Sequence, residues 1–299
     1  MSPQLAVGAI FGATVIYGAN FALTRDATLR GLTPYDLAAL RFGVAGLILL
    51  PVFVRRGVAT CAGIGWRRGT VLGIMSGAPM TLFMNTGLSL APAAHGAALG
   101  PGTVTAMGVV YGAVAAGAWP PRTTVAGLLA IVSGLAAIAL AGTVSGSRNV
   151  ILGDLCFIAT GLIWGGYPLL LHRWRVDGVT GATVVSVLSL SFLPVYLVAT
   201  APRFGNVSGA YLLFQAVFQG VLNGVAGLWL WGIAIRVLGV RTQLFPPLIP
   251  VLGTLFAIPV LGEVPGPAQF AGVLLIVAGI GTAVMGERAA RRRADLTRA

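Results

Sequence analysis

Polar side chains recur inside the long apolar stretches of this chain, at a spacing that places them on one helix face. Two sets occur, each with residues four positions apart: Gln215, Gln219 and Asn223, and Thr81, Asn85 and Ser89. Residues four apart lie on the same side of a helix, and amide groups are costly against lipid. Each face therefore meets protein or water, and two interpretations stay open. The side chains either line the path of a solute or join neighbouring helices by hydrogen bonds.

Three aromatic side chains lie well inside apolar stretches, although Tyr and Trp usually gather near the ends of membrane helices. They are Tyr17, Trp164 and Tyr167. A group of buried aromatic rings suits an apolar or aromatic solute with a small polar head. Ordinary core packing is the other interpretation of each ring.

Proline interrupts two of the apolar stretches, at Pro101 and at Pro246 and Pro247. Proline lacks the backbone donor and frees a carbonyl one turn earlier, which bends a helix. We expect these residues to act as hinges or to shape a cavity, and a tolerated kink is the alternative.

The arrangement of nucleophiles, bases and metal ligands does not indicate an enzyme. His95 and His172 are far apart, and no Ser-His-Asp set, metal-ligand spacing or phosphate-binding loop is present. Cys61 and Cys156 stand alone and indicate neither a disulfide framework nor a metal site. We therefore predict no catalytic residue, no metal and no cofactor.

The composition indicates a membrane protein. The chain has 299 residues, of which 57% are hydrophobic and 9% charged, with a mean hydropathy of +0.92, whereas soluble domains carry about 25% charged residues. Apolar stretches long enough to cross a bilayer as helices recur along the chain, so we predict an all-α membrane protein with ten transmembrane helices. The predicted spans are 4–24, 35–54, 68–89, 93–117, 122–142, 151–171, 181–200, 210–235, 239–261 and 266–286.

The chain contains an internal duplication. Moved by 145 positions, Pro101 falls on Pro246 and Gly117 on Gly262. Tyr17 falls in the same way on Trp164, at an offset of 147. Five spans in each half place the second half in the opposite orientation across the membrane, which is the inverted-repeat plan of several transporters. The predicted units are a first five-helix repeat, a second, inverted five-helix repeat and a basic tail, at 1–145, 146–287 and 288–299.

The positive charge predicts an orientation in the membrane and no nucleic-acid site. All 19 basic residues are Arg, and they lie in short connections and in the tail rather than in one patch. With the amino terminus in the cytoplasm, 14 of them fall on the cytoplasmic side and four on the other, as the positive-inside rule requires. Both termini are therefore predicted to be cytoplasmic. The tail would set topology and bind anionic lipid, or bind an acidic partner.

The order of these motifs resembles the drug/metabolite transporter superfamily, in particular its EamA branch of ten-helix exporters. The resemblance extends over nearly the whole chain, and its marks are Tyr17-Gly18 in the first span, Leu40-Arg41-Phe42 in the second, the Pro-led fourth and ninth spans, and Gly262-Glu263. The family often has Gly-Glu in both halves, but the first half here has Gly117-Ala118. If Glu263 has a role, it therefore acts without a symmetric partner.

The resemblance implies export of small metabolites across the bacterial inner membrane by alternating access, with amino acids as the first class of cargo. Interior aromatic rings and few deep charges favour neutral, apolar or aromatic amino acids. The alternatives are a carrier of another cargo, such as a drug, cofactor or nucleotide-sugar, and a membrane scaffold without transport activity. Transport is either uncoupled or coupled through His95 or Glu263. Arg41, inside the span 35–54, either extends to the membrane surface or pairs with Asp36 or a carbonyl.

We expect a central cavity lined by spans 1, 3, 4, 6, 8 and 9. Spans 5 and 10 are rich in Gly and Ala, and we expect them at the periphery, where they would form the contact of a homodimer. The candidate substrate-binding residues are Tyr17, Asn20, Thr81, Asn85, His95, Trp164, Tyr167, Gln219, Asn223 and Gln243.

Overall fold

The computed structural model of the protein describes residues 2–117, 119–144, 148–238, 245 and 248–296. These residues form helices and connecting turns, with no strand among them. A π-helical segment, Val217–Ala226, precedes the helix Gly227–Leu238, and a short 3₁₀ turn, Ser189–Ser191, precedes the helix Phe192–Ala199. In chain order the helices are α1 (Pro3–Leu29), α2 (Pro34–Arg56), α3 (Trp66–Ser76), α4 (Ala78–Leu90), α5 (Ala93–Ala116), α6 (Arg122–Val144), α7 (Arg148–Gly165), α8 (Tyr167–Arg173), α9 (Gly178–Leu188), α10 (Phe192–Ala199), α11 (Gly209–Ala216), α12 (Gly227–Leu238), α13 (Leu248–Leu261) and α14 (Pro267–Leu296).

Seven helical segments in the described part of the chain are long and apolar enough to cross a membrane. Shorter apolar helices cover 122–138 and 248–261, and α5 has 24 residues. The all-helical membrane fold is therefore confirmed, whereas the count of ten spans stays a prediction. The seven segments are Gln4–Leu29, Pro34–Arg56, Trp66–Leu90, Arg148–Leu171, Gly178–Ala199, Gly209–Ala234 and Pro267–Gly286.

A capping box fixes the start of α2. The Thr33 hydroxyl accepts a hydrogen bond from the Asp36 amide at 3.1 Å, and the Asp36 carboxylate accepts one from the Thr33 amide at 2.7 Å. Pro34 supplies the φ angle favoured in the first helical turn. The other carboxylate oxygen accepts hydrogen bonds from the Tyr196 hydroxyl and the Arg203 amide. Both oxygens of this buried carboxylate therefore have partners within the protein.

The third predicted span is interrupted at Gly77, between α3 and α4. Pro79 in the first turn of α4 has no amide hydrogen for the preceding turn, and the Ser189 hydroxyl accepts the Ala78 amide at 3.1 Å. A Cβ atom on Gly77 would lie 2.4 Å from that hydroxyl oxygen, so the close approach requires glycine. The break thus joins the first half of the chain to the second.

The first helix of each half packs against equivalent helices of the other half. Helix α1 lies against α13 and α12, and its counterpart α7 lies against α5 and α4. A Cβ atom on Gly18 of α1 would lie 2.6 Å from Leu252 Cβ, and one on Gly165 of α7 would lie 3.1 Å from Met107 Cβ. Leu252 follows Met107 by 145 positions, the offset found in the sequence. Equivalent residues of the duplication therefore make equivalent helix contacts.

The most extensive helix contact joins α6 to α14. A Cβ atom on Gly279 would lie 2.6 Å from the Gly127 carbonyl oxygen, and one on Gly134 would lie 2.6 Å from the Gly272 carbonyl oxygen. The two backbones touch, which is how membrane helices associate through small residues. Because this glycine face is already occupied within one chain, a homodimer through spans 5 and 10 would use their outer side, where Leu129 is exposed. The homodimer stays a prediction.

Replacement of Gly279 by Leu should destabilise the protein, because the new side chain would enter the α6 backbone. Overpacking of this kind costs about 1–3 kcal/mol. Gly281 lies on the same helix and has no atom within 4 Å of an added Cβ, so Gly281→Leu is the matched control. We expect thermal unfolding in detergent to move to lower temperature for Gly279→Leu alone. Equal shifts for the two variants would contradict the packing of α6 on α14.

Candidate functional site: a cavity between the two halves

A groove of about 460 Å³ lies on the flank of the bundle, between the α3–α4 pair and the α9–α10 pair. It is open to the side, and apolar residues such as Ile74, Pro79, Leu188 and Phe192 dominate its lining. A side-facing apolar groove of a membrane protein meets lipid chains. None of the described residues that line it carries a charge that would select a solute. The functional site therefore lies elsewhere.

A smaller cavity of about 70 Å³ lies inside the bundle, between the two halves of the chain. Its volume is far below the roughly 300–1,000 Å³ of ordinary ligand pockets, so a metabolite fits only when helices move apart. Side chains of α1, α2, α7 and α9 meet there with residues around the Gly77 break and the π-helical segment. The lining residues are Tyr17, Arg41, Phe42, Ala45, Ser76, Met80, Trp164, Tyr167, Ala182, Val185, Ser186, Gly224 and Leu228.

Arg41 supplies the only formal charge among the described lining residues. Its Nε atom is fully buried and has no hydrogen-bond partner within the described part of the chain. The Phe42 ring lies beside it, with the ring centroid 5.5 Å from the guanidinium carbon. Pairing with Asp36, considered from the sequence, does not form because other groups bind both oxygens of that carboxylate. A buried nitrogen without a hydrogen-bond partner is costly, and an acceptor group of a solute would relieve that cost.

The aromatic residues singled out by the internal repeat meet at this cavity. Tyr17 and Trp164, which occupy equivalent positions in the two halves, both line it, together with Tyr167. Tyr17 also packs against Trp231, with ring centroids 5.9 Å apart and planes inclined by 54°. Each half thus contributes an aromatic wall to the cavity.

The amide set of Gln215, Gln219 and Asn223 joins the eighth predicted span to α1. Gln219 Nε2 donates to Thr24 Oγ1 at 2.8 Å, and Asn223 Nδ2 donates to Asn20 Oδ1 at 2.9 Å. All three amides are buried, and none is among the lining residues of the central cavity. The amides therefore form hydrogen bonds between helices, and the binding of a solute by Asn20, Gln219 and Asn223 stays a prediction. Asn20, Gln219 and Asn223 therefore hold α1 beside the cavity.

The central cavity is not lined by the second polar set, Thr81, Asn85 and Ser89, or by His95. Asn85 Nδ2 donates to the Pro34 carbonyl at 3.2 Å. The Thr81 hydroxyl is buried without a partner among the described residues and follows the lining residue Met80. His95 lies in the first turn of α5, in a separate buried cluster.

The predicted roles of Gln243 and of the three prolines stay predictions. Gln243, Pro246 and Pro247 lie outside the described residues. Pro101 lies inside α5, which continues through it. The Thr105 hydroxyl donates to the Pro101 carbonyl at 3.0 Å. The hinge role of all three prolines therefore remains a prediction.

The helices that line the cavity differ from those expected. Residues of α2 and α9 line it, whereas no described residue of α5 or α13 does. Helices α5 and α13 pack closely on each other, since a Cβ atom on Gly253 would lie 2.5 Å from Ala97 Cβ. Sequence reasoning did not choose Arg41 because a surface role explains an arginine in a span equally well. The sequence contained one signal for Arg41. Asp36 lies five residues earlier and on another helix face, so it is badly placed to pair with Arg41.

Buried polar contacts join the two halves at one end of the bundle, here called the Glu263 end. Arg25 Nε lies 3.1 Å from Glu263 Oε1, and both side chains are largely buried. Arg25 also donates to the Leu88 carbonyl at 2.9 Å, and Glu263 Oε2 accepts the Ala93 amide at 2.8 Å. One ion pair therefore connects α1, the α4–α5 turn and the end of α13.

At the opposite end, here called the Arg56 end, the ion pair between the halves is more exposed. Arg56 lies 3.6 Å from Asp177, and the two side chains are 38% and 51% exposed. Exposed pairs of this kind contribute about 0–1 kcal/mol. Partial burial acts to raise the pKa of the Asp177 carboxyl, but hydrogen bonds from Thr180 and the Arg56 charge outweigh it and lower that pKa. The ion pair at the Arg56 end therefore contributes less to holding the halves together than the buried pair at the Glu263 end.

Comparison with known proteins gives a family and a fold. A family model described as the EamA-like transporter family matches residues 4–140 and 151–285, one match for each half. A solved structure, described only as a crystal structure of a protein, is 24% identical to this chain and superposes with a TM-score of 0.60. The match covers 96% of this chain and 100% of that one, and at this identity it shows the fold alone. No curated protein matches.

The Asn20–Asn223 contact should stabilise the helix pair. We expect a double-mutant cycle with Asn20→Ala and Asn223→Ala to give a coupling free energy of about 0.6 kcal/mol and at most about 1.7 kcal/mol, the range known for such contacts. The measurement is the free energy of unfolding in detergent, with Asn149→Ala, an exposed amide of α7, as control. Zero coupling would contradict the assignment of these amides to helix association.

Proposed function

This chain belongs to the EamA-like transporter family, and from this premise we propose that it exports small metabolites, with neutral and aromatic amino acids as the first class of cargo. The proposal places ten spans in the bacterial inner membrane, with both termini in the cytoplasm. The observation that carries the cargo class is the central cavity, where Arg41, whose buried Nε has no hydrogen-bond partner among the described residues, lies with aromatic side chains of both halves.

Arg41 is the proposed partner of the solute carboxylate. A guanidinium binds a carboxylate through charge-assisted hydrogen bonds, often two at once. Phe42, Met80 and Trp164 offer apolar surface for a side chain of the solute. The described lining contains no Asp or Glu, so hydroxyl oxygens and aromatic faces are the groups left for an ammonium group. This arrangement favours a carboxylate with an apolar body.

The single cavity charge also bears on the other cargoes. A nucleotide-sugar carries two phosphate charges, and Arg41 alone among the described lining residues could oppose them. A drug without an anionic group would give Arg41 no counter-charge. Among carriers of this fold, the cavity therefore supports a monocarboxylate better than a nucleotide-sugar or an uncharged drug. A scaffold without transport activity would have no use for a buried arginine nitrogen that lacks a hydrogen-bond partner.

The unequal burial of the ion pairs at the two ends of the bundle supports alternating access as the proposed mechanism. The arginine distribution assigns the Glu263 end to the outside and the Arg56 end to the cytoplasm. In this arrangement the buried Arg25–Glu263 pair closes the outer end, while the exposed Arg56–Asp177 pair leaves the inner end easier to open. The solute would enter from the cytoplasm, and rocking of the halves would then separate Arg25 from Glu263.

Flux into proteoliposomes tests this proposal, with labelled Phe, Tyr, Trp, Leu, Met, Thr and Ala as the panel and empty liposomes as the control. We expect protein-dependent flux, strongest for the apolar and aromatic members. Arg41→Gln should raise the half-saturation concentration about 10- to 100-fold, since a hydrogen bond to a charged group contributes about 1.5–3 kcal/mol. Arg41→Lys should retain part of the flux because it keeps the charge.

Arg122→Gln is the matched control, because Arg122 is exposed at the start of α6 and does not line the cavity. Wild-type flux with unchanged kinetics in Arg41→Gln would contradict the role of Arg41 and leave the transporter in place. Absence of flux for every amino acid, in vesicles that contain folded protein, would contradict the amino-acid class.

A further inference from the structure

A buried cluster of three side chains lies at the Glu263 end and takes no part in the central cavity. His95 comes from the first turn of α5, Asp154 from α7 and Gln269 from the first turn of α14. His95 is 1% exposed and Asp154 is 3% exposed. A titratable pair this deep in a membrane protein is costly unless it has a function.

The contacts within the cluster define its hydrogen positions. His95 Nδ1 lies 2.8 Å from Asp154 Oδ1, and His95 Nε2 lies 2.8 Å from Gln269 Nε2. Gln269 Oε1 accepts the Gly266 amide at 3.0 Å, so the Gln269 nitrogen is the atom that faces the imidazole. A carboxylate accepts the Nδ1–H proton, and the bare Nε2 accepts from the Gln269 amide group. In this arrangement Nδ1 carries the imidazole proton and Nε2 is a hydrogen-bond acceptor.

The carboxyl group of Asp154 has one oxygen atom without a partner, which an ionised carboxylate would leave uncompensated. Asp154 Oδ2 is fully buried and has no hydrogen-bond partner among the described residues. A buried carboxylate with a free oxygen and no cation favours proton uptake by the pair. One added proton would make the pair neutral overall, with a charged imidazolium beside the carboxylate.

Other titratable groups near the cluster are already bound to each other. Glu263, at the end of α13, accepts the Ala93 amide two residues before His95 and pairs with Arg25 of α1. Arg148 of α7 is exposed. Helices α4 and α6 have no titratable residue at this end, and α14 contributes Gln269. Asp154 and His95 are therefore the two titratable groups in direct contact within the cluster.

We propose that His95, Asp154 and Gln269 form a proton-binding site, and that a proton bound there loosens the contacts of Glu263 that close this end of the bundle. The site takes a proton from water onto His95 Nε2, and no covalent bond between heavy atoms changes. The Nε2–H group then needs an acceptor. Gln269 meets this need by turning its Oε1 toward the imidazole, which withdraws Oε1 from the Gly266 amide.

Loss of the hydrogen bond between Gly266 and Gln269 would affect the Arg25–Glu263 ion pair through a short turn. Gly266 closes the turn 262–266, which follows α13 and contains Glu263. Glu263 holds both Arg25 and the Ala93 amide, and Ala93 begins the helix that carries His95. Loosening of this turn therefore weakens the contact of α13 with α1 and α5. Proton binding would favour opening at the Glu263 end, and its coupling to solute movement rests on the proposed function.

Two measurements on the purified full chain without solute test the proton site. The chain has two histidines, so NMR of histidine-labelled protein follows both imidazoles, with His172→Gln identifying the His95 signal. Hydrogen exchange of the peptide 262–269, corrected for the pH dependence of intrinsic exchange, follows the turn. We expect the His95 signal to gain the imidazolium shift as pH falls from 8 to 5. Amide protection of the peptide should fall about tenfold in the same interval, equivalent to one pH unit of differential proton affinity.

Three variants separate proton binding from its transmission. His95→Gln and Asp154→Asn should abolish the pH-dependent part of the exchange. Gln269→Leu should keep the His95 titration and show low amide protection at both pH values, because Gly266 has lost its acceptor. His172→Gln should behave as the wild type.

Two results would overturn the proposal. One is a His95 signal that stays in a single charge state from pH 8 to 5. The other is a His95 titration that leaves the protection of 262–269 unchanged in the wild type. Neither measurement requires transport, so an absence of amino-acid flux with both expected results intact would count against the proposed cargo alone.

Discussion

Inside a bilayer every polar group needs a partner within the protein, because lipid offers none, and this constraint shapes the bundle. The amides of the eighth span meet α1, Asn85 meets the start of α2, and the Ala78 amide at the Gly77 break meets Ser189. The described buried side-chain atoms without a partner include two from charged groups, Arg41 Nε and Asp154 Oδ2. These two exceptions mark the proposed solute site and the proposed proton site.

Symmetry and asymmetry have separate roles in this chain. The helix contacts are symmetric, since Gly18 meets Leu252 as Gly165 meets Met107, and such packing allows two related arrangements of the halves. The buried ion pair is not symmetric, because Glu263 has Ala118 as its counterpart in the sequence. The ion pairs at the two ends of the bundle therefore differ in burial.

The sequence predicted the features that depend on periodicity and repetition. The helical membrane class, the duplication and the cavity position of Tyr17 and Trp164 all follow from spacing. Features that depend on a distant partner did not follow. The face of Gln219 was evident, but only the fold shows that Thr24 lies opposite it. The use of α2 and α9 as cavity walls likewise depends on the close packing of α5 on α13, which the sequence does not display.

The most direct test of alternating access measures both ends of the bundle at once. Spin-label pairs at Leu29 and Val264, and at Val58 and Arg173, would bridge the halves at the Glu263 end and the Arg56 end from exposed positions, in a background with Cys61 and Cys156 replaced by Ala. With saturating L-phenylalanine, we expect the first distance to lengthen while the second shortens. Distances that both stay fixed, or that change in the same direction, would contradict alternating access around the central cavity.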